Sequence, residues 1–523
     1  MQTRKEGHPC FLIMVNKTAS SSRRSFLKGI GAAGIAGMTG PMLVGAAQAS
    51  TTEWNETFDL VIIGSGFAGL AAAIQARQLG LESVAIFEKM PYYGGNSAIN
   101  GGLFAAPGTP LQAQEGIADS VDRMVADQLA AGRGIAHEPL LRHIAANAAS
   151  ALQLCIDAGS EFHPYLQQLG GHSVPRTYQT TVSCGAGITR PLLDKCRELG
   201  VTTRNRSKFS KFVQDEDGRV VGVQMQTRYY YDREVSEGET INVRGRYGVL
   251  VATGGYSQNI ELRSAQDPTL TAEVTSTNAP GATGEAMLAM FRLGAIPVHL
   301  AHIQSGPWAS PDEGGFGYVS NYSIYNFPHS VAINRTTGQR FMNEIADRKT
   351  RADAELANRD AEGKPNPPIL ITSYDHAKEH PSAKKVLKYK VGWKFDNLES
   401  LAAEFGVPLE PLRAQIDEYN GFVREGEDAQ FGKPMEKIAG KTIEAPFMVV
   451  RLWPKVHYCQ GGVAINLKSE VIDAATGAAI PGLYAAGEVT GGIHGVSRLG
   501  SCSIPECMVM GITAARSVAG SVT

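Results

Sequence analysis

The chain has 523 residues, enough for about two to four domains and for a sizeable core. Its 49 Lys plus Arg against 51 Asp plus Glu leave a formal net charge of −2, which excludes the basic footprint of a nucleic-acid binder and an acidic tail. A hydrophobic fraction of 43% with 19% charged residues excludes disorder, and the 58 glycines, with no collagen-like period or Gly/Ser linker to absorb them, imply ordered backbones that approach something closely.

The N-terminal segment reads as an export address. Ser22-Arg23-Arg24-Ser25-Phe26-Leu27-Lys28 is a twin-arginine motif, an uncharged Gly- and Ala-rich run follows over 29–48, and Ala47-Gln48-Ala49 places small residues at a cleavage position. Residues 1–49 are therefore expected to be a twin-arginine signal peptide, removed ahead of Ser50 after folded export to the periplasm. The competing reading is a membrane anchor, but the run is only weakly hydrophobic and no later apolar stretch is long enough to span. No stable membrane insertion after cleavage is expected. Export of a folded chain suits a protein that loads a tight cofactor first.

Asp59-Leu60-Val61-Ile62-Ile63 is a nearly continuous apolar run of the kind buried on both faces of a parallel sheet, and it leads straight into Gly64-Ser65-Gly66-Phe67-Ala68-Gly69. A helix is predicted over 70–79 with Gly80 in the capping position, then a strand over 83–87 ending at Glu88. Gly64 permits a tight turn, Gly66 lets backbone approach a pyrophosphate, and Gly69 lets helix and strand pack closely. Free N–H groups near Phe67 and Ala68 face the phosphates, and Glu88 is placed for ribose hydroxyls. Strand, loop, helix, strand and acid in register point to a bound dinucleotide.

Further strips follow. Lys89 is succeeded by a Gly-Gly turn at Gly94-Gly95 with Asn96 and Ser97, and Asn100-Gly101-Gly102 offers a second place where backbone can lie against a flat ring. Strands are predicted over 248–252, entering Ala252-Thr253-Gly254-Gly255, and over 480–486, entering Gly487-Glu488. Of seven cysteines, Cys10 lies in the signal segment, and the rest form neither C-x-x-C nor the haem-attaching C-x-x-C-H. No His cluster suggests zinc, so no metal is expected, and any haem must sit on another chain.

These segments resemble flavoproteins of the fumarate reductase and succinate dehydrogenase superfamily over most of the chain from Phe58 onward. The nearest resemblance is to soluble periplasmic fumarate reductases of the flavocytochrome c type and the related urocanate and arylacrylate reductases. It implies non-covalent FAD and an α/β fold: a Rossmann-like FAD-binding domain (50–305 and 459–523) with an inserted α+β clamp, or capping, domain (306–458). It also implies hydride delivery to the C=C bond of a carboxylate substrate in anaerobic respiration, with electrons from a separate c-type cytochrome. Asn278 to Gly284 matches a loop near the flavin, and Ser503 and Ile504 join the cofactor contacts. Gln339-Arg340-Phe341-Met342-Asn343-Glu344-Ile345-Ala346-Asp347-Arg348 looks like the family's proton-donor segment, which makes Arg348 the acid. His494-Gly495-Val496-Ser497-Arg498-Leu499-Gly500 looks like the carboxylate segment, which makes Arg498 the clamp. His494 is either packed beside the flavin or a hydrogen-bond donor to it.

The chain also departs from the fumarate pattern. Fumarate reductases place a histidine just after an Ile-Gln pair, whereas here Ile303-Gln304 leads to Gly306. The family's Thr-Glu pair falls near Tyr322-Ser323, its relay arginine near Asn326, and its His-His pair becomes His457-Tyr458. One carboxylate clamp is kept and the second is lost, which disfavours a diacid. Between 308 and 327 stand Trp308, Phe316, Tyr318, Tyr322, Tyr325 and Phe327. They are either a packed loop core or a wall for a bulky or aryl 2-enoate, with Gly306, Trp308, Tyr318, Tyr322, Tyr325 and Arg498 as substrate contacts and Tyr458 joining from across the cleft. The alternatives are a dehydrogenase of the 3-ketosteroid type, a fumarate/succinate-type oxidoreductase and a non-catalytic flavin carrier.

Overall fold

The computed structural model describes residues 52–435 and 441–522, so the twin-arginine segment and its cleavage point lie outside the described residues. The predicted apolar run forms strand β1 (Glu56–Ile63), followed by helix α1 (Phe67–Gln78) and strand β2 (Val84–Phe87). Gly80, at φ +91°, terminates the helix in the left-handed conformation expected of a capping glycine. The chain continues through β3 (Thr202–Arg204), a hairpin of β4 (Lys208–Gln214) and β5 (Val220–Gln226), and the long β6 (Thr240–Val251).

An excursion then begins. Strand β7 (Ile303–Gly306) leads to helix α2 (Gly317–Asn326), β8 (Ser330–Ile333) and helix α3 (Arg348–Leu356). Strands β9 (Ile369–Ser373), β10 (Trp393–Phe395) and β11 (Phe447–Arg451) complete an antiparallel sheet in the order β8-β9-β11-β10. The chain returns through β12 (Lys455–Cys459), β13 (Glu470–Ile472) and β14 (Ala479–Ala485) and ends in helix α4 (Ser503–Gly520). The main sheet has eight strands in the order β13-β14-β6-β1-β2-β3, with the β4–β5 hairpin attached to β6. At its centre β14, β6, β1, β2 and β3 are mutually parallel. Their carboxyl ends, at Ile63, Phe87, Val251 and Ala485, therefore open on the same side, where an α/β sheet binds its ligand.

The apolar side chains divide accordingly. One core draws on 60–303 and 456–518, and two smaller ones on 308–452. Alternation along the inserted sheet separates the latter two: Val331, Ile333, Ile369, Ile371 and Val449 face one core, and Ala332, Leu370, Met448 and Val450 the other. Helix α4 crosses α1 closely because Gly511 sits against Ala68 O, where a Cβ would not fit. Among the described residues no helix is long and apolar enough to cross a membrane.

The segment leading to α3 is held by a buried ion network. Arg340 pairs with Glu344 at 2.9 Å and Asp428 at 3.0 Å, and Lys433 Nζ lies 3.1 Å from Glu344, all with side chains sealed from solvent. Glu344 Oε1 also accepts the Ala332 N–H at 3.0 Å, which ties the segment to the sheet. Glu344→Gln leaves Arg340 with Asp428 but strips Lys433 of its carboxylate. The expected cost is about 3 kcal/mol, read as a lower denaturant midpoint with an unchanged slope.

Candidate active site

The loops at the carboxyl ends of the parallel strands, together with Asn278 to Ala286, enclose one elongated cleft. Gly64, at φ +104°, turns the chain so tightly that a Cβ would strike Ala252 O. Helix α1 then starts after Gly66, with no acidic residue in its first turn and the Phe67 N–H donated to Ser97 Oγ at 3.0 Å, its positive N-terminus toward the cleft. Glu88 closes this end, its carboxylate accepting from Ser65 Oγ at 2.6 Å and the Met90 N–H at 2.9 Å. Lys89 beside it donates to Thr283 Oγ1 and Glu285. Gly95 and Gly254 have open space where a Cβ would stand. A positive helix end, an acid at the ribose position and bare backbone along the walls fit an extended FAD. The cleft continues from Glu88 as far as Phe316, His457, Tyr458 and Arg498.

That far end is an antiparallel ribbon. β7 pairs with β12, Gln304 opposite Tyr458 and Ser305 opposite Val456, so the register skips His457 in a bulge. His457 lines the cleft, with Nδ1 2.8 Å from Thr277 Oγ1 and its ring edge-on to Trp308 at 5.2 Å. Burial, then the charges of Arg498 and Arg348, hold its pKa well below the ordinary histidine value, so the imidazole is neutral. Tyr458 Oη donates to Glu506 of α4 at 3.1 Å, and burial pushes the phenol well above its usual value. Burial also pushes the neighbouring Glu488 carboxyl up to about 7.

Two arginines meet here. Arg498 donates its backbone N–H to Gln304 Oε1 at 2.9 Å and its Nη1–H to Leu499 O at 3.1 Å, and its guanidinium lies over the Tyr458 ring at 4.6 Å. Arg348 is the first residue of α3, and its guanidinium lies over Trp308 at 4.7 Å. Its neighbouring acids are committed elsewhere: Asp347 caps α3, and Glu344 serves Arg340 and Lys433. Among the described residues neither Arg348 nor Arg498 has an ion-pair partner, and Arg348 Nη1 and Arg498 Nε are buried without hydrogen-bond acceptors. Trp308 Nε1 and Gln304 Nε2 are further buried donors without partners. Burial, then the charges of Arg498 and Arg351, hold the Arg348 guanidinium well below the usual arginine range. Uncompensated cations with unused donors constitute an anion site, and a guanidinium so perturbed is a usable acid.

Most expected cofactor contacts line the cleft: those at 64–68, 88–89, 95–97, Asn100, 252–254, Gly284, 487–488, Arg498 and Ser503. Five do not. Gly69 packs on Gly64 O, the helix–strand role its spacing implies, and Gly102 faces the Cys184 backbone, 2.7 Å from where its Cβ would lie. Gly101 abuts only Leu103, and Ile504 is buried in the main core. His494 lies edge-on to Tyr458 at 5.6 Å, with Nε2 buried 3.6 Å from Glu506 and without a hydrogen-bond partner, which leaves both of its readings open.

The expected aromatic wall dissolves in the same way. Tyr318, Tyr322 and Tyr325 stand on α2, a helix rather than a loop, which carries them away from the arginines. Tyr322 is sealed in the inserted core, Tyr318 stacks on Tyr389 at 4.3 Å, and Tyr325 is exposed and stacked on His380 at 4.3 Å. Gly306 ends β7, and a Cβ there would lie 2.9 Å from the Trp308 indole, which occupies that space. Sequence reasoning missed Thr277 and Glu506. Glu506 carried a usable signal, an acid in the otherwise mostly apolar first half of α4.

The FAD binding domain family matches residues 59–504 of the chain. The chain is 69% identical over 494 residues to the acrylate reductase flavoprotein subunit of Shewanella woodyi, covering 94% of this chain and 97% of that one. It is 30% identical over 472 residues to the urocanate reductase of Eggerthella lenta, covering 88% and 74% respectively. Among solved structures, the open conformation of a flavocytochrome c3 fumarate reductase superposes with a TM-score of 0.74 at 29% identity, covering 89% of this chain and 79% of that one.

Proposed function

The chain belongs to the FAD binding domain family, and from that premise we propose that it reduces the C=C bond of a small 2-enoate, with acrylate as the type substrate. The observation that carries this reading is the pair of buried, uncompensated guanidinium groups, Arg498 lining the far end of the FAD cleft and Arg348 stacked on Trp308 beyond that lining. A neutral ketone would leave both charges unpaired, which speaks against the 3-ketosteroid alternative. A flavin carrier needs neither arginine.

When bound and reduced, non-covalent FAD supplies a hydride equivalent to the β-carbon. Arg498 grips the carboxylate and stabilises the negative charge that spreads into it from the α-carbon. Tyr458 beneath the guanidinium and Gln304 on its backbone fix the grip. Arg348 donates the proton that the α-carbon requires, a role its burial beside two other arginines makes accessible. Neutral His457 adds no third cation to compete for the carboxylate.

Trp308 sets the size. It fills the space beside Gly306 and lies against both Arg348 and His457, which favours a short acid over a larger one. A bulky or aryl 2-enoate is the second reading, favoured by Trp308 and Phe316, whose rings both face His457. Anaerobically reduced enzyme is expected to be reoxidised at least tenfold faster by acrylate than by an arylacrylate, urocanate or fumarate. Faster reoxidation by the arylacrylate establishes the second reading, and preference for fumarate refutes both. Trp308→Ala is expected to narrow the gap between acrylate and the arylacrylate.

Two further parts of the reading concern cell and partner. The twin-arginine motif supports a periplasmic enzyme in anaerobic respiration, exported folded. The absence of any C-x-x-C-H, together with the relative described as a flavoprotein subunit, supports a separate c-type cytochrome as donor. The apolar cores, one on 60–303 and 456–518 and two on 308–452, support a division into an FAD-binding body and a clamp over about 306–458.

A further inference from the structure

Helix α3 carries more buried charge than the proposed reaction has used. Arg348, Arg351 and Glu355 are three and seven residues apart, which at about 100° per residue places them along one face. Glu355 is fully buried and both of its carboxyl oxygens lack hydrogen-bond partners, as does Arg351 Nε. The Arg351 guanidinium rests on the Phe327 ring at 4.6 Å, just past the end of α2. Ser323 Oγ and Asn326 Oδ1 of α2 are also buried and unpartnered, and so is Asn358 Oδ1, one turn beyond Glu355. Past Asn358 the chain comes out at half-exposed Arg359 and Asp360. An unpaired buried carboxyl is costly, and so many unmet polar atoms are the mark of a polar file where water can bridge them.

We propose that Arg351 and Glu355 are the proton supply of Arg348. When Arg348 has given its proton to the substrate α-carbon, the neutral guanidine takes one from Arg351, Arg351 takes one from the Glu355 carboxylic acid, and Glu355 is recharged from solvent. One proton enters for each double bond reduced, matching the one hydride delivered by the flavin. The electrostatics support this order. Burial raises the Glu355 carboxyl well above the usual range, so it is held as the acid. Burial lowers Arg351 to about 10 against the raising influence of Glu355, Asp347 and Glu344. Arg348 faces Arg498, Arg351 and Cys502. Ser323 and Asn326 of α2 are not ionisable, so α3 supplies both charged groups of the file.

The proposal rests on Arg348 being the acid, and the test separates the two claims. In reduced FAD-loaded enzyme, Glu355→Gln is expected to leave the first flavin reoxidation by acrylate close to the wild-type rate, because Arg348 starts protonated. Steady-state turnover should then fall by about 10²-fold. Glu355→Asp should recover a substantial part of it. In the oxidised holoenzyme, the infrared stretch of a protonated carboxyl should vanish in Glu355→Gln. Equal slowing of first and later turnovers identifies a merely structural residue and overturns the relay, as does unchanged steady-state turnover. If Arg348→Ala itself turns over normally, the acid assignment fails and the relay with it. If Arg348→Ala is inactive while Glu355→Gln is unaffected, only the relay fails.

Discussion

Arg348→Ala is expected to lower kcat by about 10²- to 10⁴-fold, the usual loss on removing a positioned general acid, with FAD content and the flavin spectrum unchanged. The cofactor should stay because Arg348 lies outside the strips that line the FAD cleft and reaches it only through Trp308 and the substrate end. Helix α3 should also stay, since Asp347 caps it and the Arg340–Glu344–Lys433 network anchors the segment before it. Removing Arg348 in fact relieves repulsion among buried cations, so a modest gain in thermal stability should accompany the loss of turnover. Arg348→Lys is a sharper control. Lysine keeps a charge but is shorter, and its ammonium cannot lie flat over the Trp308 ring as the guanidinium does. It should remain at least tenfold impaired. Normal turnover in Arg348→Ala would transfer the acid role to another group of the site, with Tyr458 the first to test.

Arg498→Ala should fail differently. Arg498 is the proposed carboxylate clamp before and during hydride transfer, so its loss should raise KM and lower kcat together, with kcat/KM down by about 10²- to 10³-fold. Its Nε is already buried without an acceptor, so no internal ion pair is broken by the substitution. Tyr458 loses the group stacked on it, but its hydroxyl keeps Glu506 as acceptor. Arg498→Lys should recover binding only in part, because one ammonium cannot grip a carboxylate as a two-pronged fork. Arg348 and Arg498 are thereby distinguished: one substitution acts mainly on kcat, the other on kcat and KM. A rise in KM alone for Arg498→Ala would reduce that residue to a docking group.

The cofactor end of this protein is largely legible in the linear chain. Gly64, Gly66 and Glu88 fall at the ends of β1 and β2 as the spacing requires, the strand predicted over 248–252 falls on the end of β6, and that over 480–486 falls on β14. The reason is locality. A backbone that must turn tightly, free its N–H groups and lie against a flat ligand needs glycines at fixed short intervals, and those intervals survive in the order of residues. The arginine motifs are legible too, but not what neutralises them. Asp347 and Glu344 lie close to Arg348 in the chain, and only the fold shows both acids committed elsewhere.

The substrate end is a matter of tertiary packing. Six aromatics between Trp308 and Phe327 look alike in a sequence, yet helix α2 carries Tyr318, Tyr322 and Tyr325 into the inserted core or to its surface. Trp308 folds back beside Gly306 and under Arg348, and Phe316 lines the cleft beside His457. Glu355 and Arg351 read as ordinary helix charges until burial makes them exceptional. Residue order specifies a dinucleotide cleft, two candidate arginines and a glycine, Gly306, where the fumarate pattern places a histidine. Packing selects which side chains face the substrate, because residues from 304, 348, 457 and 498 meet only when two cores close on each other and exclude water from the charges between them.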